Sequence, residues 1–271
     1  MSMWMNSRVQ MATCLSLLAL PALAQSEAPE TSLTPPQLER AEPETPEESS
    51  EAAAPVPEPA PVDVDPAEAL ATDDPPEKTL AITADPAAFA TCTAALTELG
   101  ASFEPVAPIR DEDDGSCGIA QPIRLDAAAP GVALNPDTFL RCETALALSQ
   151  WVTRTVLPAA EVLSERGAVT SLQHGSSYIC RRRNNSPTGK PSEHSYGNAL
   201  DIMGVGFADG SMLAIEPRER EGTLEEAFQD AIRAGACLSF TTVLGPGSDA
   251  AHANHLHFDI KARNGGFRLC Q

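Results

Sequence analysis

Two stretches, SEHSYGNALDI at residues 192–202 and HANHLHFDI at residues 252–260, contain four of the five histidines of this 271-residue chain. Apolar and polar residues alternate in HLHFDI at residues 255–260, which predicts a strand with His255, His257 and Asp259 on its polar face. The same alternation predicts a strand at the end of the first stretch, with Asp201 turned away from the core. His194 precedes that strand in a Ser/Tyr/Gly segment. We therefore expect two strands whose polar faces meet, with a loop that folds back over them.

Cap and stop residues elsewhere in the chain predict further elements. Helices are expected from Asp85 to Gly100, from Asn135–Pro136 to about Gly167 with a kink before Pro158, and from the capping pair Thr223 and Glu226 to Gly235. Short strands are expected at residues 168–174, 176–180, 197–202, 241–245 and 255–260, with a hairpin joining 205–208 to 211–215 through Asp209–Gly210. Because the helices come first and the strands cluster later, the predicted fold class is α+β.

Residues 1–24 have the pattern of a secretory signal peptide. Arg8 precedes an apolar run that is too short to span a bilayer, and the run closes with small residues at Ala22-Leu23-Ala24. We expect cleavage near Ala24, which also removes Cys14 and leaves no membrane span. The predicted location of the mature protein is therefore the periplasm or the exterior of the cell.

Residues 25–84 are predicted to form a disordered linker rich in Pro, Glu and Ala, because they lack the apolar side chains that a core requires. The 15 acidic and 2 basic residues between Gln25 and Leu80 supply most of the net charge of −20. Residues 85–271 are long enough for one domain and carry an ordinary acidic balance. That balance disfavours a nucleic acid as the partner.

An even number of cysteines remains in the expected mature chain: Cys92, Cys117, Cys142, Cys180, Cys237 and Cys270. Without any CxxC pair, this pattern predicts disulfide bonds in an exported protein rather than thiolate metal ligands. The spacing does not choose among the possible connectivities.

His194 and Asp201, together with one of His252, His255 and His257, would offer two imidazoles and one carboxylate. That is the ligand count of a catalytic zinc site with one position left for water. A structural zinc site is more often cysteine-rich and closed. Non-haem iron oxygenases use the same ligand types, so the ligands alone leave the metal open. An oxidising compartment favours redox-inert zinc, and we therefore predict one zinc ion in this site.

The chain also resembles a known family through segments that occur in a fixed order between regularly placed cysteines. They are SYICRRRN at 177–184, SEHSYGNALDI at 192–202, TTVLGPGSD at 241–249 and HANHLHFDI at 252–260. In these segments, the chain from Cys92 to Cys270 resembles the extensin-like C-terminal domain family of exported bacterial proteins.

The SxHxxGxAxD pattern within residues 192–202 is similar to that of zinc D-Ala-D-Ala peptidases. Those enzymes share a fold with the hedgehog amino-terminal domain and certain murein endopeptidases. The resemblance implies a single α+β domain with helices packed on a small, mainly antiparallel sheet that carries a metal site. By the same resemblance, His194, Asp201 and His257 are the zinc ligands.

Many of those peptidases place a glutamate three residues before the last ligand as general base, whereas this chain has Asn254 there. Relatives with an HxH motif imply His255 as the substitute, with Asp249 and His252 as further candidates. Arg181 resembles an arginine that contacts substrate carbonyl or carboxylate oxygens in the relatives. The alternative interpretation is that Arg181 and its neighbours balance local acids.

Two classes of function stay open. The first is a zinc-dependent peptidase or amidohydrolase acting on peptidoglycan stem peptides, with His255 as base or oxyanion stabiliser and Arg181 as substrate anchor. The second is a metal-stabilised, non-catalytic module that binds the cell wall or another envelope component. The HxH motif favours the enzyme, and the absence of the glutamate favours the binding module. The sequence assigns neither the bond that is cut nor an oligomeric state.

Overall fold

The computed structural model describes residues 83–183 and 186–271. The predicted signal peptide and all but the last two residues of the predicted linker lie outside the described residues. The predictions for those segments therefore stay predictions.

The described residues form helices and strands that alternate along the chain. The helices are α1 (Pro86–Glu98), α2 (Cys142–Trp151), α3 (Leu157–Ala160) and α4 (Leu224–Ala236). The strands are β1 (Ser102–Pro105), β2 (Ile109–Arg110), β3 (Gly118–Ile119), β4 (Pro122–Ala129), β5 (Val132–Arg141), β6 (Val169–Ser176), β7 (Ala199–Phe207), β8 (Met212–Ala214), β9 (Thr242–Leu244), β10 (Leu256–Asp259) and β11 (Leu269–Cys270).

A nine-stranded sheet has the order β1-β4-β5-β6-β7-β10-β9-β11, with β8 beside β7, while β2 and β3 form a separate pair. The pairs β5–β6 and β9–β11 are parallel, and the neighbours of β7 and β10 are antiparallel. The prediction of a single α+β domain is confirmed. Its sheet is mixed and larger than the small, mainly antiparallel sheet that we expected.

The first and last predicted helices form where their capping residues indicate. The carboxylate of Asp85 accepts the backbone N–H groups of Ala87 and Ala88 at the start of α1. The hydroxyl of Thr223 accepts the N–H of Glu226 at the start of α4. Both signals are local, because a cap contacts residues two or three positions away.

The predicted start of the second helix is wrong. Asn135–Pro136 lies inside β5, which pairs with β4 on one side and with β6 on the other, and the helix begins at Cys142. Pairing of Asn135 with Gln173 of β6, and of the flanking residues of β5 with β4, outweighs the local preference for a proline-led helix. The helix then continues through a π-helical segment before Pro158 and a 3-10 turn that ends at Gly167, so the predicted irregularity and stop are confirmed.

Two further strand predictions require correction. Residues 177–180 form no strand, because β6 ends at Ser176 and the chain turns into a loop. The strands β1 to β5 were not predicted, and they lie between α1 and α2, so the helices do not all precede the strands. The hairpin of β7 and β8 through Asp209–Gly210 forms as predicted.

The core beneath β10 is aromatic. The rings of Trp151 and Phe258 meet edge to face at 5.0 Å between centroids, and Phe240 stacks on Phe258 at 4.7 Å. The indole N–H of Trp151 donates to the carbonyl of Ile232 in α4 at 2.8 Å. Because these rings bury Phe258 completely, they hold the register of β10 and turn His257 to the other face.

Three disulfide bonds, Cys92–Cys142, Cys117–Cys180 and Cys237–Cys270, join all six cysteines of the domain. The predicted use of these cysteines as disulfides is confirmed, with the connectivity now assigned. None of the helices among the described residues is long and apolar enough to cross a membrane.

Candidate metal centre

Asp201 and His257 occupy directly opposed positions of β7 and β10. Their strand neighbours Leu200, Phe258 and Leu256 are fully buried in the core. Since side chains alternate along a strand, Asp201 and His257 both emerge on the opposite face. Nδ1 of His257 lies 2.9 Å from Oδ1 of Asp201.

The loop that carries His194 returns to this face through the 3-10 turn Glu193–Tyr196. The turn ends at Gly197, whose φ of +66° favours glycine, and its carbonyl accepts hydrogen bonds from the backbone of Arg141 and the hydroxyl of Thr144. This anchoring holds the turn against β5 and α2. His194 is 1% exposed as a result.

The ring of His194 has a defined orientation. Its Nδ1 lies 2.7 Å from the carbonyl oxygen of Ser177, which can only accept, so Nδ1 carries the hydrogen. Nε2 is then a free lone pair. It lies 3.3 Å from Nδ1 of His257 and 3.4 Å from Oδ1 of Asp201.

His257 is held in the complementary way, because its Nε2 lies 3.3 Å from Oδ2 of the buried Asp259. A hydrogen on Nε2 leaves Nδ1 as a lone pair toward Asp201. Nε2 of His194, Oδ1 of Asp201 and Nδ1 of His257 can therefore all act as electron-pair donors at one point. The three residues form a group whose ligand atoms lie within 4.8 Å of one another, which fits a tetrahedral zinc site with an open position.

Without a cation, a proton must satisfy these atoms. Burial alone would lower the pKa of His257, but its hydrogen bonds to Asp201 and Asp259 outweigh burial and raise the pKa to about 9. Burial alone would raise the pKa of Asp201, but its interactions with the rings of His194 and His257 outweigh burial and hold the pKa well below its ordinary value. The centre thus attracts positive charge.

A second group with metal-ligand atoms close together consists of Asp114, Cys117 and Cys180. The two sulfurs are joined in a disulfide bond and are not thiolates. This group is therefore not a metal site in the oxidised protein.

His255 lies at the edge of the centre. Its Nε2 is 3.7 Å from Oδ1 of Asp201, and its Nδ1 is 3.0 Å from the side-chain oxygen of Asn254. Burial lowers the pKa of His255, and the neighbouring histidines lower it further. A side chain that is neutral at pH 7 and 17% exposed can accept a proton from a molecule in the cleft.

His252 completes the cluster on the outer side. Both carboxylate oxygens of Asp249 approach its Nδ1, at 2.7 and 2.8 Å, and Asp249 also caps the short turn that carries it. The ring centroid of His252 lies 5.2 Å from that of His255 and 5.6 Å from that of His257. His252 is thus held beside the centre rather than inside the ligand group.

Arg181 differs from the two arginines that follow it. Arg182 pairs with Asp114 at 2.6 Å and Arg183 pairs with Glu193 at 3.3 Å, whereas no carboxylate in the described part of the chain pairs with the guanidinium of Arg181. The backbone of Arg181 is held by the hydroxyl of Ser195. Balancing local acids therefore accounts for Arg182 and Arg183 but not for Arg181.

Neither Ser177 nor Asp259 was predicted to be a partner of the candidate ligand histidines. Asp259 had a signal, because alternation in HLHFDI places it on the face of His257. No sequence signal pointed to Ser177, because its contact with His194 is made by the backbone carbonyl, a group that every residue has. Tyr196 is 4% exposed and packs in the domain.

Residues 90–271 match the family model described as Extensin-like protein C-terminus. The match begins within α1 and runs to the last residue, so it covers the whole candidate metal centre and all three disulfides. No curated protein and no solved structure matches the chain.

Proposed function

The chain belongs to the extensin-like protein C-terminus family over residues 90–271, and from this premise we propose that it is an exported zinc-dependent peptidase or amidohydrolase acting on peptidoglycan stem peptides. The observation that carries the proposal is the convergence of the lone pairs of His194, Asp201 and His257. The resemblance of the SxHxxGxAxD pattern of this chain to that of zinc D-Ala-D-Ala peptidases supports peptidoglycan stem peptides as the substrate class.

His194, Asp201 and His257 hold the metal in this proposal. When bound there, zinc supplies Lewis-acid polarisation of a carbonyl and activation of a water molecule. The three side chains contribute a fixed geometry, because each is buried or nearly buried and hydrogen-bonded to a second group.

His255 is the proposed general base or oxyanion stabiliser. It directly precedes β10 rather than lying in the predicted strand, and its Nε2 is close enough to Asp201 to reach a molecule at the open position. Its lowered pKa keeps the imidazole neutral at pH 7, which a base requires. His252, held by Asp249, is the second candidate for the same role.

Arg181 is the proposed substrate anchor. Its guanidinium has no carboxylate partner in the described chain, while the disulfide of the preceding Cys180 and the hydroxyl of Ser195 hold its backbone. A guanidinium suits the bidentate recognition of a carboxylate, such as the terminal carboxylate of a stem peptide.

An exported location follows from the predicted signal peptide together with the three disulfides, which persist in oxidising compartments. The proposed site of action is the periplasm or the cell exterior, where peptidoglycan is accessible.

A second candidate function is a metal-stabilised module that binds the cell wall or another envelope component without cleaving it. Asn254 favours this function, because an amide stands where related peptidases have the glutamate base and an amide cannot accept a proton. The two candidates share the metal centre and differ in turnover.

The deciding experiment combines metal analysis with murein digestion. The mature protein with measured zinc content is incubated with isolated murein, and the released fragments are identified by mass spectrometry, with His257→Ala as the metal-site control. Released stem-peptide fragments that require His257 would establish the enzyme. Zinc-dependent sedimentation with murein and no fragments would favour the binding module, and a wild-type protein that takes up no zinc would refute both.

A further inference from the structure

A second carboxylate, that of Asp259, lies directly behind the ring of His257. Asp259 is 4% exposed and follows His257 by two positions, so both side chains lie on one face of β10. Its Oδ2 is 3.3 Å from Nε2 of His257, and its Oδ1 accepts the backbone N–H of Lys261 at 3.0 Å. Both oxygens of this carboxylate therefore face donors.

A third donor reaches Asp259 from the neighbouring strand. Thr242 of β9 lies opposite Asp259, is 3% exposed, and its hydroxyl hydrogen-bonds the carboxylate. Arg263 donates to the same hydroxyl oxygen at 2.6 Å and to the carbonyl oxygen of Thr241 at 2.9 Å. Because arginine can only donate, Thr242 receives from Arg263 and keeps its own hydrogen for Asp259.

The direction of these hydrogen bonds determines which ring nitrogen of His257 carries a hydrogen. A carboxylate that receives the N–H of Lys261 and the hydroxyl of Thr242 is an acceptor, so the group of His257 that faces it must be Nε2–H. Nδ1 then has a lone pair directed toward Asp201. Imidazoles that bind metals commonly donate their other N–H to a carboxylate or carbonyl in this way.

We propose that Asp259, oriented by Thr242, is the positioning residue that holds His257 in the tautomer and ring orientation for metal binding through Nδ1. This inference rests on the proposed metal function and adds a residue beyond the ligand group. The corresponding hydrogen-bond partner of His194 is the neutral backbone carbonyl of Ser177. The charged partner makes His257 the more strongly polarised of the two imidazole ligands.

The first test uses the wild-type protein and needs no substitution. Long-range ¹H–¹⁵N correlation spectra of zinc-loaded protein report which ring nitrogen of each histidine carries the hydrogen. We expect a protonated Nε2 and a metal-shifted Nδ1 for His257. A metal-shifted Nε2 with a protonated Nδ1 would overturn the inference while leaving zinc binding intact.

The second test is Asp259→Asn, which nearly preserves volume but offers one acceptor oxygen to three donors. Competition with a chromophoric zinc chelator should show a loss of zinc affinity of about 10–100-fold. Arg268→Met is the matched control, because it removes two hydrogen bonds to the backbone carbonyls of Cys237 and Phe240 without touching Asp259, Thr242 or His257. It should lower the melting temperature and leave zinc affinity almost unchanged.

The outcomes separate this inference from the proposed function. Wild-type affinity in Asp259→Asn, or an equal loss in Arg268→Met, would overturn the positioning role alone. A wild-type protein without zinc would refute the metal centre itself. If Asp259→Asn does not fold, Thr242→Val removes one donor and keeps the carboxylate, and unchanged zinc affinity and an unchanged His257 spectrum in that variant would also count against the role.

Discussion

A Cβ atom on Gly197 would lie 2.3 Å from Cδ1 of Ile119, closer than any real contact between such atoms. Gly197 ends the turn that carries His194, and its φ of +66° is in the left-handed region. The position of one metal-ligand candidate thus depends on a glycine that packs against the short strand β3.

Gly197→Ala should therefore destabilise the protein and weaken zinc binding together. The left-handed φ costs about 1–2 kcal/mol for alanine, and the overlap with Ile119 adds roughly 1–3 kcal/mol. Gly210→Ala is the matched control, because Gly210 has a φ of +83° and nothing within 4 Å of its added Cβ. Zinc titration and thermal unfolding of both variants check the prediction, and an equal zinc affinity for the two would contradict it.

Replacement of His194, Asp201 or His257 by Ala should each abolish stoichiometric zinc binding, because each removes one of three converging donors. Metal analysis after dialysis of the purified variants measures this. Far-ultraviolet circular dichroism shows whether each variant has folded. A folded variant that still holds one zinc per chain would remove the substituted residue from the site.

His255→Ala should keep zinc and lose hydrolysis of murein peptides by about 10²–10⁴-fold, since a general base acts on the reaction and not on metal affinity. His252→Ala is the comparison, because Asp249 holds its ring beside that of His255. A large loss in His252→Ala with little change in His255→Ala would transfer the role of base to His252. Loss of zinc in His255→Ala would instead make His255 a ligand.

The stability of the metal-free protein should fall as the pH rises from about 6.5 toward 9. Folding raises the pKa of His257 to about 9, so the folded state binds a proton that the unfolded state releases near its ordinary pKa. The stabilisation is complete below the unfolded pKa and is lost as the pH passes the folded one. Urea unfolding with EDTA at several pH values, compared with His257→Gln, isolates this contribution. An equal pH dependence in the two proteins would contradict it.

Alkylation of the native, exported protein without reductant should label almost no cysteine, because all six are paired in the domain. Peptide mapping under non-reducing conditions should recover Cys92–Cys142, Cys117–Cys180 and Cys237–Cys270. Labelling of both Cys117 and Cys180 would show that the anchor of the Arg181 loop is absent. A different pairing would contradict the fold around it.

Local signals in the sequence correctly predicted those elements whose defining contacts join residues that are close together in the sequence. The caps of α1 and α4, the hairpin at Asp209–Gly210 and the alternation of β10 each involve residues a few positions apart. The ligand candidates were also named from their motifs, because imidazole and carboxylate chemistry is a property of the residue type.

Those local signals did not predict contacts between residues that are far apart in the sequence. The sequence around Asn135–Pro136 has the form of a helix start, yet pairing with β4 and β6 makes it part of a strand. The six cysteines allowed many pairings, and the folded backbone brings together only three pairs.

The sequence by itself thus determined the fold class, the disulfide chemistry and the identity of the candidate ligands. The tertiary structure alone decided which ring nitrogen of His194 and of His257 has a free lone pair, because that depends on the carbonyl of Ser177 and the carboxylate of Asp259. It also decided that Arg181, and not its two neighbours, lacks a carboxylate partner in the described chain. Hydrogen bonds and ion pairs form where atoms meet in space, and residue order specifies that meeting only through the complete fold.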